Sequence, residues 1–211
     1  MNGGSIGGGG RSSIYKDYAL IGGLRLSNGS TFPGGVGENE WWRLITSAFL
    51  HDGLLHLAVN MFLLWILGQQ LERLYGRSRY LGLYFGSLAA GSLGVMLLDP
   101  ASITGGASGA VFGLISATFI HQKRRGISPW RSGIGGLLIL NLIFTFGFPG
   151  ISIGGHLGGL LGGAFLAWAI EEIGRKRLNR NFGLAVITTF TLLCLVAGIW
   201  AGNRWYDPVL G

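Results

Sequence analysis

The sequence predicts an all-α, polytopic membrane protein, a bundle of transmembrane helices. Of its 211 residues, 49% are hydrophobic and only 12% are charged, whereas a soluble domain has roughly 25% charged residues. The apolar residues are gathered in long uncharged stretches that basic loops separate. The 40 glycines suit helices that pack closely within a membrane.

Six membrane spans are predicted. The uncharged stretches cover residues 54–71, 80–98, 100–122, 132–170 and 181–203. The fourth is too long for one span of about 20 residues. Phe148-Pro149-Gly150 divides it into two helices, because proline and glycine together favour a turn.

The basic residues indicate the orientation of the spans. Three alternate loops contain most of the 16 basic residues: Arg73, Arg77 and Arg79; Lys123, Arg124, Arg125 and Arg131; and Arg175, Lys176, Arg177 and Arg180. The positive-inside rule makes these loops cytoplasmic. The net charge of +7 is therefore attributed to topology, and no nucleic-acid partner is predicted because no basic stripe or binding motif is present.

Three polar residues stand near the starts of alternate spans. His56 opens the first span, Ser108 the third and His156 the fifth. These spans run in the same direction, so at about 1.5 Å per residue all three side chains are expected in the outer third of the bilayer. Polar residues within spans are costly, which favours a functional site.

Small residues recur every four positions in the third and fifth spans: Gly105, Gly109, Gly113 and Ala117, and Gly155, Gly159, Gly163 and Ala167. Such spacing lines one helix face and lets two backbones approach closely. Ser108 and His156 border these faces, so contact between the faces would bring a histidine base to a serine nucleophile. The alternative is a packing pair whose serine bonds a backbone carbonyl and whose histidine is a buried donor.

His56 and Asn60 lie four residues apart, on one face of the first span. An imidazole N–H and an amide can stabilise an oxyanion, together with the Ser108 backbone N–H. The alternative is an interhelical hydrogen bond that only holds the bundle together. A metal site formed by His51, His56 and His156 is a third interpretation, but no carboxylate or thiolate joins them, so neither a metal nor a cofactor is predicted.

Four motifs together resemble a known family. In chain order they are Trp42-Arg43, His51-x4-His56-x3-Asn60, Gly106-Ala107-Ser108-Gly109, and Gly155-His156-x-x-Gly159-x-x-x-Gly163. In this order and on these spans, they resemble the rhomboid intramembrane serine proteases. The resemblance covers about Trp41 to Ile173.

The resemblance implies a Ser108–His156 dyad without an acidic third member. It also implies an oxyanion hole formed by His56, Asn60 and the Ser108 N–H, with Phe112 stacked on the catalytic histidine. The implied substrates are transmembrane proteins in the lipid bilayer, and no cofactor is needed. Simple packing explains Phe112 equally well. Trp42-Arg43 would brace the bundle from the outer leaflet, and the alternative for that pair is an interfacial Trp/Arg anchor.

The predicted organisation has three parts. Residues 1–40 form a Gly/Ser-rich extracytoplasmic segment, and residues 41–173 form the catalytic core. Residues 174–211 hold a basic loop, an extra C-terminal span and a short outer tail. By resemblance the six spans correspond to core helices two to six plus an extra seventh, so the first core helix is expected to be missing from this sequence. The compact loops fit a bacterial-type plasma membrane, with the site opening to the outside.

Two other functions are less consistent with the sequence. A catalytically silent relative that binds transmembrane clients would generally lack the serine or the histidine, and both are present. A transporter or channel would need a polar path across the whole membrane, whereas the polar residues here stop in its outer third. The oligomeric state is left open.

Overall fold

The computed structural model describes residues 13–23 and 34–205. Across these residues the chain is helical and forms no β-sheet, which confirms the predicted all-α bundle. The helices are α1 (Ser13–Tyr18), α2 (Arg43–Thr46), α3 (Leu54–Tyr75), α4 (Arg77–Leu98), α5 (Ser108–Arg124), α6 (Ile134–Gly147), α7 (Ile153–Arg175) and α8 (Arg180–Trp205). Short 3-10 turns occupy Val36–Glu38 and Ser47–Phe49.

All six predicted spans contain a helix, but two of these helices are short. Within the described residues, α3, α4, α7 and α8 are long and apolar enough to cross a membrane. α5 has 17 residues and α6 has 14. The third predicted span begins at Pro100, yet α5 begins only at Ser108. Pro100 and Thr104 instead form backbone hydrogen bonds with Gly22 and Leu20, and Gly106 has a φ of +133°, which is outside the helical region.

The predicted break near Pro149 is present. α6 ends at Gly147 and α7 begins at Ile153. Ser152 caps the new helix, because its hydroxyl accepts a hydrogen bond from the Gly155 N–H at 3.1 Å. This cap fixes the start of the helix that carries His156.

Glycine brings α7 into backbone contact with two neighbours. A Cβ added to Gly159 would fall on the Gly109 carbonyl, and one added to Gly163 would fall on Gly113. These contacts join α7 to α5 along the faces that the four-residue spacing predicts. A second glycine face of α7, which the sequence analysis did not single out, packs against α4: Cβ atoms at Gly154 and Gly158 would fall on the carbonyls of Gly94 and Ala90.

The three basic loops lie together at one end of the bundle, here called the basic end. The Arg180 guanidinium donates to the Ser78 hydroxyl at 3.0 Å, which joins the third loop to the first. Arg124 pairs with Glu172 at 2.7 Å, which joins the second to the third. Since α3, α5 and α7 all end there, their first residues lie at the opposite end, here called the site end.

Residues 19–23 are built into the layer that covers the site end. Leu20 exchanges backbone hydrogen bonds with Thr104, at 2.8 and 2.9 Å, and Ile21 accepts one from Val36 at 2.9 Å. The side chains of Leu20 and Ile21 are buried. The sequence assigned residues 1–40 to a segment outside the core and gave no sign of this packing.

Arg43 anchors the same layer from within, and only 1% of its surface is exposed. Its guanidinium donates to the Ala19 carbonyl at 2.8 Å and pairs with Glu40 at 2.6 Å. The Glu40 carboxylate also accepts a hydrogen bond from the Gly35 N–H at 2.7 Å. A buried charge is tolerated only when it is paired in this way, so Arg43 ties the N-terminal segment to α2.

We predict that Gly159→Ala destabilises the protein and that Gly174→Ala, on the same helix, does not. The added methyl group at Gly159 meets the Gly109 backbone, whereas no described residue from outside that stretch of helix lies within 4 Å of a Cβ at Gly174. The first change should lower the free energy of unfolding by about 1–3 kcal/mol or more, as overpacking does. Thermal unfolding in detergent micelles measures both, and equal melting temperatures would contradict the proposed role of the α5–α7 contact.

Candidate active site

Three helix starts converge at the site end, each with one polar side chain. His56 is the third residue of α3, Ser108 is the first of α5, and His156 is the fourth of α7. At about 1.5 Å per residue, all three lie within about 5 Å of their helix starts. The glycine contacts between α5 and α7 set the spacing of the last two.

Ser108 and His156 form a direct hydrogen bond. The Ser108 Oγ lies 2.8 Å from the His156 Nε2, and both residues are half-buried. Because Ser108 begins α5, its backbone N–H has no carbonyl partner within the helix. A hydroxyl, a base and an unpaired donor therefore stand together at the positive end of a helix dipole.

Phe112 covers one face of the histidine. Its ring is stacked on the His156 imidazole, with 4.2 Å between centroids and 20° between planes. Phe112 lies one helical turn after Ser108 and is 2% exposed. The stack restricts rotation of the imidazole and keeps water from that face.

His56 borders the same space from α3. A Cβ at Gly106 would lie 3.0 Å from the His56 Nε2 and 3.7 Å from the Ser108 Oγ. Only a glycine leaves this space open, and its φ of +133° also favours glycine. The Gly106 N–H donates to the Ser47 carbonyl at 2.9 Å, which fixes the loop before Ser108.

Asn60 stands one turn below His56 and is buried. Its Nδ2 donates one hydrogen to the His56 carbonyl at 2.8 Å. This bond stays within α3, so it orients the amide and leaves the second Nδ2 hydrogen for another acceptor.

His51 supports the loop that precedes α5. Its Nε2 accepts a hydrogen bond from the Ala107 N–H at 3.4 Å, and its ring lies edge-on to His56, 5.1 Å between centroids. Burial lowers the pKa of His51, and the neighbouring His56 lowers it further; the Phe49 backbone and Asp52 act in the opposite direction. The neutral form that accepts this bond is therefore favoured near pH 7.

Thr145 is a neighbour of the histidine that the sequence analysis missed. Thr145 lies on α6, and its Oγ1 is 2.7 Å from the His156 Nδ1. Both ring nitrogens of His156 are thus bonded to hydroxyls of the protein, which leaves neither for a metal shared with His51 and His56. The one signal in the sequence was a threonine in the apolar run Ile143-Phe144-Thr145-Phe146, just before the Pro149 turn.

The remaining predicted residues lie around this group. Gly109 contacts the backbone of α7, since a Cβ there would lie 3.0 Å from the Gly155 carbonyl. Trp42 is partly exposed beside Trp41, edge-on at 6.2 Å. Arg43 does not reach the site and is buried in the covering layer.

A family model for the Rhomboid domain matches residues 38–173. The chain belongs to the rhomboid family. It is similar to the Rhomboid protease GluP of Bacillus subtilis (strain 168), at 34% identity over 166 residues, which cover 77% of this chain and 32% of that protein. It is also similar to the Putative rhomboid protease YdcA of the same organism, at 36% identity over 147 residues, 68% of this chain and 74% of that protein.

Rhomboid relatives of this chain include proteins that are named as inactive. The human Inactive rhomboid protein 1 is 30% identical over 168 residues, which cover 76% of this chain and 20% of that protein. The chain spans about a third of the length of GluP. Family membership and the four apolar helices identify an integral membrane protein, while the activity of this rhomboid has to be argued from its own residues.

We predict that His51→Gln reduces the loss of stability on acidification. The pKa of His51 is lower in the folded state than in the unfolded chain, so its contribution is fully present above about pH 6.5 and is lost as the pH falls through the folded value. Glutamine does not titrate, and its amide oxygen can accept the Ala107 N–H. Between about pH 7.5 and 5.5, the melting temperature of the wild type should fall further than that of the variant. Parallel curves would show that His51 does not titrate on unfolding.

Proposed function

We propose that this rhomboid is an intramembrane serine endopeptidase that cleaves transmembrane proteins through Ser108 and His156. The observation that carries the proposal is the 2.8 Å bond between the Ser108 Oγ and the His156 Nε2 at the first residue of α5. A serine hydroxyl becomes an effective nucleophile when a positioned base removes its proton. The packing interpretation requires the Ser108 hydroxyl to bond a backbone carbonyl, whereas its neighbour here is an imidazole nitrogen.

In the proposed reaction, the His156 Nε2 takes the Ser108 proton as Oγ attacks the scissile carbonyl carbon. The carbonyl π bond breaks and its electron pair moves to the oxygen. When the tetrahedral intermediate collapses, the C–N bond breaks and His156 gives its proton to the leaving amine. In the second half, His156 Nε2 takes a proton from a water molecule as the water attacks the acyl carbon. The bond between that carbon and Ser108 Oγ then breaks, and His156 gives the proton to Oγ.

The space beside Gly106 suits the developing oxyanion. The His56 Nε2 and the Ser108 Oγ both lie within 4 Å of the point that a side chain at Gly106 would occupy. In the proposed site, His56 and the Ser108 backbone N–H donate to this oxygen, and Asn60 supplies its second Nδ2 hydrogen. Donors fixed in advance cost no reorganisation during the reaction.

The substrate is proposed to be a membrane-spanning segment, cut near the end that lies on the outer side. The active groups lie within about 5 Å of the helix starts at the site end, opposite the basic loops. A helix must unwind there to present its peptide bond, so helix-weakening residues such as glycine or proline in the substrate should favour cleavage. The positive-inside rule makes the basic end cytoplasmic, and the site then opens outside a bacterial-type plasma membrane.

The second candidate is a catalytically silent protein that binds transmembrane clients. The similarity to Inactive rhomboid protein 1 favours it. The two functions differ in whether Ser108 is chemically activated, and this can be measured directly.

We predict that a fluorophosphonate probe labels the wild type in membranes and labels neither Ser108→Ala nor His156→Ala. Cleavage of a single-span substrate with glycine near its outer end should fall by at least about 10³-fold in both variants, because removal of either partner disables the nucleophile.

Ser87→Ala is the matched control for this experiment. Ser87 is a buried serine on α4 whose hydroxyl has no hydrogen-bond partner among the described residues, so labelling and cleavage should be unchanged. A folded wild type that is neither labelled nor cleaves would support the silent client-binder, and cleavage by Ser108→Ala would exclude the proposed nucleophile.

We predict that the two ends of the bundle react differently with an impermeant thiol reagent added outside intact cells. Cys194 is the one cysteine of the chain, so Cys194→Ala supplies the background. Ile127→Cys, in the second basic loop, should resist labelling, and Phe148→Cys, at the site end, should react. Both native side chains are exposed, by 51% and 54%. The reverse pattern would invert the proposed topology.

A further inference from the structure

The hydroxyl of Thr145 completes a chain of three hydrogen bonds through the histidine. The Ser108 Oγ lies 2.8 Å from His156 Nε2, and the His156 Nδ1 lies 2.7 Å from the Thr145 Oγ1. The Thr145 Oγ1 lies 2.8 Å from the Asn141 carbonyl oxygen. Thr145 is 1% exposed, so water cannot reach its hydroxyl to replace either of its two partners.

The number of available protons determines which group donates in each of these three hydrogen bonds. The Asn141 carbonyl can only accept, so the single Thr145 hydroxyl proton points to it. The Thr145 oxygen must then accept from Nδ1, which therefore carries the proton of the neutral imidazole. Nε2 is left with a lone pair for the Ser108 hydroxyl.

If the donors and acceptors are reversed, the series has one hydrogen bond fewer. If Nε2 carried the proton, Thr145 would have to donate to Nδ1, and its bond to Asn141 would be lost. The Ser108 hydroxyl would also face an N–H rather than a base. Only the Nδ1–H form makes all three contacts at once, whereas the Nε2–H form loses the bond from Thr145 to the Asn141 carbonyl, and each buried hydrogen bond is net stabilising.

We propose that Thr145 is a positioning residue that holds His156 in the Nδ1–H tautomer required for removal of the Ser108 proton. This inference rests on the proposed function. Thr145 takes the place at Nδ1 that an acidic residue occupies in a serine triad, but it is neutral. It acts by orienting the imidazole and by accepting from Nδ1–H, a bond that strengthens when His156 becomes an imidazolium.

Three side chains then fix the imidazole together. Phe112 on α5 is stacked on its face at 4.2 Å, Ser108 binds one edge, and Thr145 on α6 binds the other. Stacking alone would be satisfied equally well after a 180° flip of the ring about its Cβ–Cγ bond, which exchanges Nδ1 with Cδ2 and Nε2 with Cε1. The bond to Thr145 removes this freedom and couples α6 to the base.

The test compares Thr145→Val, which removes the hydroxyl at nearly constant volume, with Thr145→Ser, which keeps it. Thr145→Val should lower kcat by on the order of 10-fold, the value of one neutral hydrogen bond, with KM unchanged. Thr145→Ser should retain most of the wild-type kcat. A purely structural role for the side chain would not produce this rescue.

Thr118→Val is the matched control. Thr118 is also a buried threonine whose Oγ1 donates to the carbonyl four residues earlier, that of Leu114 at 2.9 Å, but it lies on α5 away from His156. Its kcat should equal that of the wild type. A Thr145→Val enzyme with wild-type kcat, in a preparation whose wild type cleaves and whose Ser108→Ala does not, would overturn the role of Thr145 and leave the proposed protease intact.

The tautomer can be read without any Thr145 variant. In wild-type protein labelled with ¹⁵N-histidine, the His156 signals are assigned by their loss in His156→Ala. We expect Nδ1 to be the protonated nitrogen near neutral pH. A protonated Nε2 in the wild type would overturn the inference, whatever the activity of the variants. If the wild type is inactive but shows Nδ1–H, the positioning stands and the proposed function fails.

Discussion

The backbone contact between α5 and α7 is the constraint on which the rest of the structure depends. Gly159 and Gly163 allow α7 to lie directly on Gly109 and Gly113. Contact of this kind contains almost no side chain that could adopt another rotamer, so the axial positions of Ser108 and His156 follow from the backbone. At the basic end, the same helices are joined by His121 to Glu171, at 2.5 Å, and by Arg124 to Glu172. α5 and α7 are thus held together at both ends.

Local sequence patterns were enough to predict what local physics decides. The lengths of the uncharged stretches predicted the positions of the helices, and Pro149 predicted the break between α6 and α7. Four-residue glycine spacing gave one packed face of α7. Charge placement identified the three loops that gather at one end, and depth along the spans selected Ser108, His56 and His156.

The features that sequence analysis missed all depend on contacts between distant residues. α5 starts late because Leu20 pairs with Thr104, more than 80 residues away. Gly154 and Gly158, also four residues apart, form a second glycine face of α7, and only the structure shows that α4 packs against it. Thr145 resembles any threonine on an apolar helix until His156 lies opposite. The Trp42-Arg43 pair suggested an interfacial anchor. In the structure Arg43 is buried, and its guanidinium donates to the Ala19 carbonyl, a contact that no local pattern reveals.

The short length of α6 has a consequence for the surrounding lipid. With 14 residues, α6 extends only about 21 Å, against a hydrocarbon core of about 30 Å. The bilayer must become thinner beside it, or polar headgroups must descend to meet its ends. Hydrophobic mismatch therefore concentrates on the side of the bundle formed by α6, the helix that carries Thr145.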